Sequence, residues 1–139
     1  AGSGTSVGAT FENLQSIIEQ IPDDQQHRLG ICFDTCHAYS AGYDLVNDYD
    51  SVWVLFDEVI GLERLGLIHM NDSKHPFESR KDRHENIGQG TLGPEPFQRI
   101  MLDERLGHVP KILETPKGDE GNTADIANLD LLRGFRASA

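Results

Sequence analysis

The sequence predicts an α/β fold built on a parallel sheet, and three observations carry that reading. Short apolar runs stand at 29–33 (LGICF), 66–70 (GLIHM) and 110–113 (PKIL). None alternates cleanly, as expected of strands covered on both faces. Segments with helical spacing lie before, between and after these runs, and strands that alternate with helices imply βαβ units. A closed eight-stranded α/β barrel needs about 250 residues, and this chain has 139. A small open sheet and the C-terminal part of a barrel whose front is missing both satisfy the pattern.

Element by element, Phe11, Leu14, Ile17 and Ile18 recur at helical spacing, with Thr10 placed as N-cap. Val52, Leu55, Phe56 and Val59 form a second stripe, with Asp50 or Ser51 as cap. The connection 71–93 is long and polar, and such connections are functional or disordered. Phe97, Ile100 and Met101 follow Pro94-Glu95-Pro96, residues that suit a helical first turn. A weaker helix starts at Thr123 and runs through Ile126, Leu129 and Leu132. No repeat, linker or low-complexity tract divides the chain.

Composition narrows the function classes. The chain carries 23 acidic and 12 basic residues, a formal net charge of −11, and 37% hydrophobic residues, ordinary for one soluble globular unit. No stretch approaches the roughly 20 apolar residues of a membrane span. No basic start leads into an apolar run, so no secretory signal is expected. Two cysteines, Cys32 and Cys36, cannot staple a small secreted fold, which points to a reduced, cytoplasmic setting. Cys32 falls mid-strand, and a buried structural thiol is expected rather than a redox pair. The acid excess weighs against nucleic-acid binding by bulk charge, although bound cations reverse the field locally. The opening AGSGTSVGAT lacks Met and reads as a tag remnant or as a cut through a longer product.

The chemistry sits at the strand ends. Asp34 follows GICF, His69 lies within LIHM, and Glu114 follows KIL. Parallel α/β folds place their sites at the carboxyl ends of strands. Acidic residues at buried strand ends are costly unless paired or ligated, and Asp, His and Glu form an N/O donor set suited to zinc or manganese. A second constellation lies in the loops. His37 is three residues beyond Asp34, and Asp82 and His84 are spaced i, i+2 in KDRHENIG. On an extended segment that spacing points both side chains the same way. Two imidazoles and a carboxylate would leave a coordination position open for water. His27, His75 and His108 read as solvated. Gly88 to Gly93 fits GxGxxG but does not follow a strand directly, and reads as a turn into the next helix.

The stretches GICFDTCHAYSAGYDL (30–45), LIHMNDSK (67–74), DRHENIGQG (82–90) and ILETP (112–116) together resemble endonuclease IV, the zinc-dependent apurinic/apyrimidinic endonuclease family. The resemblance covers essentially the whole chain, in the family's order. It implies a (β/α)8 TIM barrel, of which residues 1–139 would be the C-terminal portion, a partial domain truncated on its N-terminal side. It implies three Zn2+ ions per full-length enzyme, and hydrolysis of the DNA backbone 5′ to abasic sites that leaves a 3′-hydroxyl. Asp34, His69 and Glu114 match ligands of one zinc, with Asp34 and Glu114 also catalytic, and His37, Asp82 and His84 match the ligands of another. The family's AGxG loop matches Ala1 to Gly4. A bridging glutamate and two histidine ligands would lie before Ala1. Lys74, Arg80, Lys81 and Arg83 cluster beside the ligand loop and are expected to contact phosphates of double-stranded DNA. A monomer is expected for the full-length enzyme, and no nuclease activity for the 139 residues alone. Two other readings remain: a metal-dependent sugar isomerase or epimerase on the same barrel, and a barrel that has lost its chemistry. The isomerase has no reason to carry both DTCH and DRHENIG.

Overall fold

Residues 2–3, 6–118 and 121–137 are described by the computed structural model. Ala1 and Gly4, which bound the AGxG match, lie outside the described residues. Helix α1 (Phe11–Ile18) starts at Thr10, whose Oγ1 accepts the Asn13 N–H at 3.2 Å, so one donor left open by the helix start is satisfied. Helix α2 (Asp23–Gln26) has one turn and no buried residue, and hence no apolar spacing to announce it. Strand β1 (Ile31–Asp34) leads straight into helix α3 (Thr35–Ala41), which ends at Gly42 with φ 111°, a left-handed C-cap that glycine adopts without strain.

Helix α4 (Tyr49–Val59) begins two or three residues before the position set by caps at Asp50 or Ser51. Strand β2 (Leu65–His69) follows, then a two-residue ribbon of β3 (Asp72–Ser73) and β4 (His84–Glu85) that folds up part of the long polar connection. Helix α5 (Pro94–Leu102) starts at the expected prolines, strand β5 (Lys111–Ile112) is short, and helix α6 (Thr123–Ala137) closes the order. No helix among the described residues is long and apolar enough to cross a membrane.

The main sheet is parallel in the order β1-β2-β5. Its register sets Asp34 beside His69 and His69 beside Ile112, so the three strands end at one level. Strand β5 is held by the Ile68 N–H on Pro110 O at 3.0 Å and the Met70 N–H on Ile112 O at 2.8 Å. β3 and β4 pair antiparallel, with Ser73 opposite His84.

Side chains alternate across a strand, and the two faces of this sheet differ. Phe33 and Ile68 face the helices, where Trp53, Phe56, Phe97 and Ile100 are fully buried. Phe33 meets Trp53 at 4.6 Å between ring centroids, and Phe11 meets Phe56 edge-on at 5.2 Å. The opposite face carries Cys32 and Ile112, both exposed. That face is open in the structure of these residues, as the inner face of a partial barrel is, so Cys32, expected as a buried thiol, stands exposed. Once Phe33 takes the covered face, its neighbour must take the open one. Cys36 on α3 is the fully buried thiol.

Outside the sheet, Tyr49 and Asp103 tie α4 to the turn after α5. The Tyr49 hydroxyl donates to Asp103 Oδ2 at 3.1 Å, and Arg105 contacts both oxygens of Asp103 and Oδ1 of Asp50. Burial alone pushes the Asp103 carboxyl up, but the hydrogen bonds and charge of Arg105, with the Tyr49 hydroxyl, outweigh it and hold the carboxyl below its ordinary value. A depressed carboxylate pKa adds stability above the unfolded-state value, and that stability is lost as pH falls through the folded value. Asp103→Asn is therefore expected to be destabilising at neutral pH, with the gap to wild type closing in acid. Urea unfolding of both proteins across that range measures it.

Candidate metal centre

Asp34 is where strand, helix and site meet. It ends β1 and caps α3, its Oδ1 accepting the His37 N–H at 2.9 Å. That bond leaves Oδ2 turned to the open end of the sheet, where it lies 3.5 Å from His69 Nδ1, 3.6 Å from His84 Nε2 and 3.9 Å from His37 Nδ1. His69 Nδ1 also stands 2.7 Å from Glu114 Oε2. Asp34, His69 and Glu114 thus converge from β1, β2 and the segment after β5, with a donor atom of each within 4.8 Å of the others.

The loop residues close on the same point. His37 Nε2 lies 3.0 Å from Asp82 Oδ1, His84 Nε2 lies 3.3 Å from that oxygen, and the two Nε2 atoms are 3.3 Å apart. Helix α3 presents His37, and the pairing of β4 with β3 presents His84. Asp82 precedes β4 in irregular backbone, yet it reaches the same point as His84, as its spacing suggests. Asp34 also belongs with His37 and His84 as a close triple, so the two groups expected from sequence adjoin through Asp34.

The donor chemistry fits a divalent cation. His84 Nδ1 lies 3.0 Å from the Glu114 carbonyl oxygen. A carbonyl can only accept, so Nδ1 carries a proton, and a neutral ring so held presents the lone pair of Nε2. Metal-binding imidazoles are typically oriented in this way. The lone pair faces a second imidazole nitrogen and two carboxylates, and a cation among them would satisfy all four. Cys36 lies within reach of Asp82 and His84. Burial is the main cause that pushes its thiol pKa up, and its Sγ donates to Arg83 O at 3.7 Å, so it is the poorer ligand.

The basic residues divide. Arg80, Lys81 and Arg83, with Ser3, His75 and Asp82, line a groove of about 450 Å³ at the edge of the cluster. Lys74, just past β3, bonds the Arg83 carbonyl through its backbone N–H but does not line that groove, and its Nζ lies 3.9 Å from Glu85 Oε2. His75, read from sequence as solvated, is half-buried in that groove, while His27 and His108 are exposed.

Three residues around the site escape sequence reading. Asn71, fully buried, donates from Nδ2 to Asp34 Oδ2 at 2.9 Å and accepts the Glu114 N–H on Oδ1 at 2.8 Å. Asp72 accepts four backbone N–H groups, from Ser73, Gly88, Gly90 and Leu92. Asn128, buried on α6, takes the Ile87 N–H on Oδ1 and donates to Asn86 and Thr115. The signal for the first two is a polar pair directly after a buried strand, the same cost argument that singles out Asp34.

Comparison with known proteins agrees with this architecture. A family model described as Xylose isomerase-like TIM barrel matches residues 1–134. A "Probable endonuclease 4" of Trichlorobacter lovleyi is 56% identical over 139 residues, covering 97% of this chain and 48% of that protein. One from Geobacter sulfurreducens is 53% identical over 137 residues, covering 96% and 45%. The crystal structure of endonuclease IV from Thermus thermophilus superposes with a TM-score of 0.84 at 41% identity, covering 99% of this chain and 48% of that one. The chain thus spans about half the length of the relatives it matches. It belongs to the xylose isomerase-like TIM barrel family, and within that family it is similar to the endonuclease IV proteins.

Proposed function

We propose that this chain supplies the carboxyl-end metal ligands of a DNA-repair endonuclease that hydrolyses the phosphodiester 5′ to abasic sites and leaves a 3′-hydroxyl. The observation that carries the reading is the convergence of Asp34, His37, His69, Asp82, His84 and Glu114, with contacts between 2.7 and 3.9 Å. The names of the relatives support nuclease chemistry over sugar isomerisation, and both constellations stand in one chain, as the isomerase reading does not require. In this reading His37, Asp82 and His84 hold one Zn2+, and Asp34, His69 and Glu114 contribute to a second.

Zinc, when bound, supplies Lewis acidity and makes water acidic enough to react near neutral pH. The chain's own residues do the rest. Asp34 holds its carboxylate in place through its bonds to the His37 N–H and to Asn71, so it need not reorganise during reaction. Glu114 and Asp34 are the groups placed to accept a proton from the attacking water. The Glu114 carbonyl holds the His84 ring by its Nδ1 edge, so that Nε2 is the edge turned toward the site. Arg80, Lys81 and Arg83 position the DNA backbone beside the cluster, and the cations answer the net −11 by a local field.

The resemblance implies further ligands outside these 139 residues, so the chain by itself is not expected to cut. The test is a chimera in which residues 1–139 replace the matching half of the Trichlorobacter lovleyi protein. The chimera is expected to nick an abasic duplex, give ends that a polymerase extends, and lose activity with a chelator. Asp82→Ala in the chimera should lose both cutting and zinc. A folded, zinc-loaded chimera that leaves abasic DNA intact and interconverts aldoses and ketoses would establish the isomerase instead. Lys81→Ala with Arg83→Ala is expected to weaken DNA binding across sequences and to flatten the salt dependence by about one log unit per lost phosphate contact. Titrations at several salt concentrations measure the slope.

A further inference from the structure

We propose that Asn71 is a positioning residue for the metal centre, a single side chain that fixes the relative placement of ligands from three segments. The inference rests on the metal-binding reading above and concerns how the ligands are held.

Asn71 follows β2 by two residues and is fully buried. Its amide has both ends committed. Nδ2 donates to Asp34 Oδ2 at 2.9 Å, the oxygen that faces His69, His84 and His37. Oδ1 accepts the Glu114 backbone N–H at 2.8 Å. The backbone is held as firmly, because the Thr35 hydroxyl donates to Asn71 O at 2.6 Å and accepts the Asn71 N–H at 2.9 Å. Thr35 is itself fully buried, in the residue after Asp34.

The connections reach both ligand groups. Through Oδ1, Asn71 sets the height of Glu114, whose Oε2 meets His69. The Glu114 carbonyl in turn takes the Nδ1 proton of His84 and so orients the imidazole that faces Asp82. Through Nδ2, Asn71 chooses where Oδ2 of Asp34 points. The edge strands β1 and β5 are not adjacent in the sheet, and the amide spans the gap above β2.

An amide is the side chain this place requires. It needs a donor toward a carboxylate and an acceptor toward a backbone N–H, on one short planar group in a buried space. A leucine keeps the branched heavy-atom skeleton but leaves the Glu114 N–H without a partner and the Asp34 carboxylate free to turn. Partners of this kind, which touch the ligands and not the metal, set affinity by holding ligand geometry, typically by about 10–100-fold.

The test is made in the chimera described above, which supplies the ligands outside these residues, and measures its Zn2+ affinity by chelator competition, the visible absorption of bound Co2+, and its unfolding without metal. Asn71→Leu is expected to keep the wild-type far-UV spectrum, to bind Zn2+ about 10–100-fold more weakly, and to shift the Co2+ bands, which report ligand geometry. Phe97→Leu, a change confined to the buried core on α5, is the control: it should lower stability without moving either metal readout. A folded Asn71→Leu with wild-type Zn2+ affinity and wild-type Co2+ bands overturns the proposal. Should Asn71→Leu fail to fold, Asn71→Ser is judged by the same criterion. Failure of the underlying reading is distinct: the chimera would then bind no Zn2+ specifically, or Asp34→Ala and His69→Ala would leave its Zn2+ binding unchanged.

Discussion

Asp34→Asn is expected to lower Zn2+ affinity by more than about 100-fold, beyond the range of changes that spare the ligands themselves, while barely altering the metal-free protein. Asp34 Oδ2 lies within 3.9 Å of three imidazoles at once, so its charge serves both ligand groups. The structural roles of Asp34 survive the change better. Asparagine caps a helix as well as aspartate does, so the bond from the His37 N–H persists. The amide cannot accept from both His37 and Asn71, which costs about 1 kcal/mol. Relief of repulsion among the carboxylates acts in the opposite sense. Thermal unfolding with and without Zn2+ separates these effects: the zinc-induced rise in Tm should vanish and the metal-free Tm should hold. A variant that keeps the zinc-induced rise would remove Asp34 from the centre.

Asp72→Ala is expected to be the most destabilising single change in the connection between β2 and α5, costing roughly 4 kcal/mol or more, because each buried orphan donor costs about 1–3 kcal/mol before relaxation. The Asp72 side chain is fully buried and accepts four backbone N–H groups at 2.7–3.0 Å, and alanine leaves these donors without partners. Domains are stable by only about 5–15 kcal/mol, so the loss is a large share. The same contact explains Gly90. A Cβ there would collide with Asp72 Oδ1 and Ser73 O, so Gly90→Ala should fail for the same reason. Because the loop backs the β3–β4 ribbon that presents His84, zinc affinity should fall with stability. Urea unfolding measures the first effect, and a loss under about 1 kcal/mol, the net worth of one ordinary hydrogen bond, would show that the staple is replaceable.

What is legible in the sequence follows from what each residue type costs. Asp34, His69 and Glu114 stand out because a carboxylate or imidazole at the end of an apolar strand is expensive without a partner, and their convergence requires only that three parallel strands end level. Asp82 and His84 stand out by spacing. Helix α3 does not, because Asp34 ends the strand and caps the helix in the same residue, and because its buried side chains, Thr35, Cys36, Ala38 and Ser40 among them, show no large apolar stripe. Asp72 is hidden for a different reason: three of its partners lie 16 to 20 residues away in a glycine-rich turn, and no local pattern predicts that closure. Cys32 is exposed because it faces the side of the sheet that these residues leave open.

The most direct test of the centre is an anomalous difference map at the zinc edge, from crystals of the chain grown with Zn2+. The expected result is density enclosed by His37, Asp82 and His84, with a second peak among Asp34, His69 and Glu114. Density confined to His27 or His108, or none within reach of Asp34, would contradict it.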